Sequence, residues 1–83
     1  MNQSSEKYQS ISCSYYDRLE EYATRQTVCS IVYRGEDEEK NIIGIIDDVF
    51  AKDRAEYLKL NNGIVIRLDQ LISINGIPVI TVC

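Results

Sequence analysis

The sequence predicts a mainly β domain: a small antiparallel barrel of five to six strands preceded by one N-terminal α-helix. Three observations point there. Helical spacing of apolar residues is confined to one stretch, residues 14–25. From Val28 onward, short runs rich in β-branched and aromatic residues alternate with polar or glycine-containing turns. A chain of 83 residues leaves room for one domain. By size scaling it buries roughly 60% of its extended surface, enough for one thin core and no interior cofactor cavity.

Residues 1–7 are polar and are expected to be a flexible N-terminus, with a single domain over 8–83, the helix at about 14–25 and the barrel at about 27–82. In the helix, Tyr15, Leu19, Tyr22 and Ala23 follow i, i+4, i+7, i+8 spacing and form one apolar stripe. Ser14 with Asp17 three residues on is a variant capping box. Asp17, Glu20 and Glu21 in the first half and Arg25 in the last turn suit the macrodipole.

The first strand is read at 28–33, followed by the polar turn 35–40 and a second strand at 41–49. That strand is apolar on both faces around Gly44, where a bulge or bend is expected. Residues 50–55 then read as a connection to a third strand, 56–60. Register decides the next hairpin. With a three-residue loop, Asn61-Asn62-Gly63, Leu60 meets Ile64 and Leu58 meets Ile66 on one face. Lys59 then meets Val65, and Tyr57 meets Arg67, on the other. That pairing separates apolar from charged residues and gives a fourth strand at 64–68. A fifth is read at 72–75, with Asn75-Gly76 as a tight hairpin into 78–82. The same elements also fit a helix lying on an open sheet. In either arrangement Tyr15 and Leu19 pack on sheet residues such as Ile31, Ile46 and Leu58.

Composition excludes several function classes. With no His there is no usual general base near neutral pH, and no nucleophile pair, phosphate loop or dinucleotide fingerprint is present. No catalytic residue, metal site or cofactor is expected. The three cysteines, Cys13, Cys29 and Cys83, are scattered, which is a poor disulfide framework and suggests a reducing compartment. Cys13 and Cys29 read as small buried hydrophobes. No apolar stretch is long enough for a signal peptide or a membrane span. A cytoplasmic protein without membrane contact is expected. The net charge of −4 argues against a dedicated nucleic-acid binder.

The segment from Tyr8 to Glu20 resembles the opening of the Rof family, Rho-binding antiterminators of bacteria, whose pattern is Y-x-P-I-x-C-x-x-Y-D-x-L-E. Tyr8, Ile11, Cys13, Tyr16, Asp17, Leu19 and Glu20 fall on it. Lys52, Glu56-Tyr57-Leu58 and Arg67-Leu68-Asp69 are similar to the family's loop, third strand and fourth-strand end. The likeness runs from about Tyr8 to about Ile74. Ser10 departs from the family proline, which leaves the helix entry less rigid, and the 61–63 loop is short. The resemblance implies an Sm-like (SH3-like) barrel that binds the hexameric transcription termination factor Rho and keeps RNA out of its primary RNA-binding sites.

On that reading the partner-binding residues are Tyr16, Asp17, Glu20 and Glu21 on the exposed helix face, with Lys52, Asp53 and Arg54 on a connecting loop. A carboxylate facing a partner's Arg or Lys forms short charge-assisted bonds, and a tyrosine can occupy the place of an RNA base. The acidic turn Glu36, Asp37, Glu38 and Glu39 reads as a solvated hairpin tip. No direct nucleic-acid binding is expected, and the free protein is expected to be a monomer. The alternatives are an Sm-like RNA-binding barrel or a generic protein-interaction module. Residues 36–53 carry seven acids against Lys40 and Lys52, a local charge of −5 that counts against the RNA binder.

Overall fold

The computed structural model describes residues 10–80. The expected flexible segment 1–7 and the end of the last expected strand therefore lie outside the described residues. Helix α1 spans Cys13–Arg25, and six strands follow: β1 (Val28–Arg34), β2 (Glu39–Lys52), β3 (Ala55–Leu60), β4 (Val65–Arg67), β5 (Leu71–Ile74) and β6 (Ile77–Pro78). A 3-10 turn, Leu68–Gln70, links β4 to β5. The protein is mainly β, as the sequence predicts. The strands form one antiparallel sheet in the order β4-β3-β2-β1-β5-β6, and this sheet is not closed into a barrel. It matches the open-sheet arrangement with the helix laid across it.

Ser12, not Ser14, caps the helix. Its extended backbone (φ −63°, ψ 151°) lets its hydroxyl accept from the Tyr15 amide at 3.2 Å. At the other end Gln26 adopts a left-handed conformation (φ 55°), and the Thr27 amide donates to the Tyr22 carbonyl at 3.0 Å, a Schellman-type closure. Tyr15 and Leu19 are buried, and Tyr22 and Ala23 pack against the core beside them. Beneath lie Ile31, Ile46, Leu58, Leu60, Ile66 and Ile74, all essentially inaccessible. The stripe and its expected sheet partners therefore do meet.

Strand β2 is longer than the sequence predicts and serves two partners. Its first half pairs with β1, with Ile31 opposite Ile42 and Cys29 opposite Gly44. Its second half pairs with β3, with Val49 opposite Leu58 and Phe50 opposite Tyr57. The register shifts between Ile46 and Asp48, so the irregularity falls at Asp47 and not at Gly44. The segment read as a 50–55 connection is a two-residue hairpin turn, Asp53-Arg54, with both residues left-handed (φ 53° and 68°).

The next hairpin has the expected register: Leu58 opposes Ile66, Lys59 opposes Val65, and Tyr57 opposes Arg67. Gly63 takes φ +93°, a conformation that an L side chain would strain. Asn75-Gly76 is the expected tight turn (φ 54° and 80°), placing Ile74 opposite Ile77. Beyond its turn role, Asn75 accepts from the Ser30 amide through Oδ1 (2.9 Å) and donates its own amide to the Ser30 carbonyl (2.8 Å). This ties β5 to β1.

Candidate partner-binding site

The helix's exposed flank begins where its cap ends. Tyr16 lies half-buried at the edge of the core, while Asp17 and Glu20 are exposed. Positions 16 and 20 share a helix face, as do 17, 20 and 21. Glu21 is held to Arg25 one turn on at 3.2 Å, an exposed pair of small energetic weight.

Tyr16 and Asp17 line an open hollow of about 440 Å³ with Ser10, Ile11, Cys13 and Glu56. Glu56 arrives from β3, where it is half-buried and faces the helix side of the strand. Burial pushes the Tyr16 phenol above its ordinary value, and the carboxylates of Glu56, Glu20 and Asp48 push it the same way. Tyr16 thus presents a protonated hydroxyl amid negative charge, a donor beside several acceptors. The hollow has an apolar floor and an acidic rim. It suits a cationic side chain that brings its own aliphatic stem.

The loop candidates fall elsewhere. Lys52 and Asp53 line a second hollow of about 350 Å³ with Phe50, Tyr57 and Val65, on the opposite face of β3 from Glu56. Arg54 is exposed at the turn between the two. The structure therefore groups Tyr16, Asp17 and Glu20 and separates them from the Lys52–Arg54 turn. Glu56 was not among the expected site residues. Its signal was an acid inside the otherwise apolar alternation of a strand.

The acidic turn sits at the far end of the β1–β2 hairpin, where the Gly35 amide donates to the Glu38 carbonyl at 2.8 Å. A polar hollow of about 550 Å³ lies there, lined among others by Tyr33, Arg34, Glu36, Glu38 and Lys40. No group of three or more His, Cys, Asp or Glu among the described residues is arranged to hold a metal ion. No helix among the described residues is long and apolar enough to cross a membrane.

The cysteines divide. Cys29 is fully buried, as expected, and its thiol, which donates to the Thr27 carbonyl at 3.4 Å, is pushed up by burial. Cys13 overturns two expectations, that it is a buried hydrophobe and that the scattered cysteines form no disulfide: it is exposed at the first helical position and is disulfide-bonded. Comparison of the chain with protein-family models, curated proteins and solved structures returns no match in any of the three.

Proposed function

We propose that this chain is a non-catalytic regulator that binds the hexameric transcription termination factor Rho, occludes its primary RNA-binding sites and so reduces Rho-dependent termination. The observation that carries the reading is the grouping of Tyr16, Asp17 and Glu56 around one open hollow, with Glu20 on the same helix face. These are the helix positions on which the N-terminal motif falls, joined by an acid from β3. A groove that holds RNA is lined with Arg and Lys and has flat surfaces for bases. The helix offers carboxylates in place of phosphates and a phenol in place of a base. Opposite charge also speeds encounter and makes the complex weaken with salt.

Capture of Rho from the same organism tests the proposal. The wild-type chain is expected to bind the Rho hexamer directly and to lower Rho-dependent termination in a reconstituted transcription assay. Asp17→Lys with Glu20→Lys changes two exposed positions and leaves the core untouched. That variant is expected to stay folded, lose capture and restore termination. Undiminished capture by the folded double variant removes the helix face from the mechanism.

A further inference from the structure

We propose that the outer face of β2, β3 and β4 binds single-stranded nucleic acid, with a base stacked on the Phe50–Tyr57 pair and phosphates held by Lys52 and Lys59. Phe50 and Tyr57 face each other across the β2–β3 ladder with ring centroids 5.4 Å apart and planes 21° from parallel. Both rings are half-buried and border an open hollow that also takes in Lys52, Asp53 and Val65, the last 49% exposed; the Asp53 carboxylate limits the attraction at the turn end. The two rings stack on each other, and the outer face of the pair is a sequence-tolerant surface for a base.

The cations are placed by the same register. Side chains two apart along a strand share a face and lie about 7 Å from one another. Lys52 follows Phe50 along β2, and Lys59 follows Tyr57 along β3 in the opposite direction. The exposed ammonium groups thus flank the aromatic pair on its two sides. A single strand crossing the rings between the two lysines therefore has a cation available on either side of the stacked base. Exposed Arg54 adds a third cation at the turn.

Charge is unevenly divided along the chain. Residues 52–67 hold four cations (Lys52, Arg54, Lys59, Arg67) against two acids (Asp53, Glu56), a local +2 in a chain of −4. Glu56 points to the helix side, away from this face. Arg67 is committed to Asp69 through two bonds of 2.8 and 2.9 Å and takes no part. Asp48, opposite Lys59, limits the attraction at that end. The net charge and the −5 of residues 36–53 both argue against nucleic-acid binding. The register changes that expectation by collecting the cations beside the aromatics and putting the acidic turn 36–39 at the other end of β2.

Fluorescence anisotropy with a labelled oligocytidylate or oligouridylate of about twelve nucleotides tests the proposal. Binding is expected at low salt, with log affinity falling against log salt by about 1.4, the value for two phosphates on a single strand. Lys52→Glu with Lys59→Glu is expected to weaken binding at least about tenfold. Tyr57→Leu keeps bulk on the sheet, and it is expected to weaken binding several-fold without changing the salt slope. Asp17→Asn with Glu20→Gln, on the helix face, is expected to leave it unchanged, so failure here and failure of Rho binding are separable. Both lysines are exposed, and the lysine variant folds even if Tyr57→Leu does not. Absence of binding at low salt, or binding indifferent to both lysines, overturns the proposal. Loss of Rho capture or altered self-association in the lysine variant, with no oligonucleotide binding in the wild type, assigns the face to a protein and overturns it too.

Discussion

The phenol of Tyr15 donates a 2.6 Å hydrogen bond to the carbonyl oxygen of Ile77, joining residues 62 apart in sequence. The Ser12 amide donates to the Ile80 carbonyl at 2.6 Å beside it. The start of the helix is therefore clasped by β6 and the segment just after it, and Tyr16 and Asp17 stand directly on the clasped turn. Tyr15→Phe keeps the ring and removes the bond. It is expected to cost about 1 kcal/mol, a fall of roughly 4–8 °C in Tm for a domain of this size. Thermal unfolding followed by circular dichroism reads the shift, and an unchanged Tm assigns the stability of that turn to packing alone.

Stability is expected to fall as pH rises above about 9. The Cys29 thiol is raised from 9.0 and the Tyr15 and Tyr16 phenols from 10.0, each mainly by burial. A group that holds its proton more tightly when folded contributes fully below its unfolded value and loses that contribution as pH climbs through the folded one. Tm is expected to decline as pH rises from about 9 to 11. Absorbance at 295 nm is expected to show tyrosines that ionise only above pH 10. A flat Tm across the range contradicts the assignment.

Glu56→Gln keeps the shape of the side chain but removes its charge and turns one acceptor oxygen into an NH2 donor. The Tyr16 phenol is expected to move back toward its ordinary value, because Glu56 is the strongest of the carboxylates acting on it. A carbon NMR titration of the tyrosine ring reports this directly. A Tyr16 value that does not move places Glu56 outside the group around the hollow.

Arg54→Gly is expected to raise stability by roughly 0.5–1 kcal/mol, because Arg54 holds φ 68° in a two-residue turn that favours glycine there. Gly63→Ala, at φ +93° with open space around it, is expected to cost about 1 kcal/mol for the converse reason. Urea denaturation with unchanged m separates these effects from altered compactness. Equal stability of Arg54→Gly and wild type means that the turn carries no strain.

Leu19→Ala, at a fully buried position, is expected to cost roughly 3–5 kcal/mol. In a domain this small that is a large part of the total stability. Denaturant titration is expected to show a substantially unfolded population near 37 °C.

The hairpin at Leu60 and Ile64 was legible because only one loop length separates apolar from charged partners. Asn75-Gly76 was legible because that pair suits two consecutive left-handed residues. The Asp53-Arg54 turn has the same geometry without glycine, and its charges made it read as a longer loop. The cap moved from Ser14 to Ser12 because the choice depends on where the chain enters, and the contact with Ile80 sets that entry. Closure was not legible: it turns on how two short edge strands meet, which residue alternation does not encode. On the site, the i, i+3 and i+4 spacing of Tyr16, Asp17 and Glu20 placed them on one flank. Glu56 meets Tyr16 only through the packing of β3 beneath the helix, and the Phe50–Tyr57 pair exists only once the β2–β3 register is known.

Strand β1 has one neighbour, β2, that follows it directly and another, β5, that does not: Ser30 and Asn75, which bond to each other, are 45 residues apart. In chain order β1 comes well before β5. Before β5 docks, the second side of β1 has its hydrogen-bonding groups unpaired, and Val28 is exposed even in the finished fold. An unpaired strand edge invites pairing with another chain. Until Asn75 reaches Ser30 that edge of β1 is open to such pairing, so slow docking of β5 lengthens the exposure.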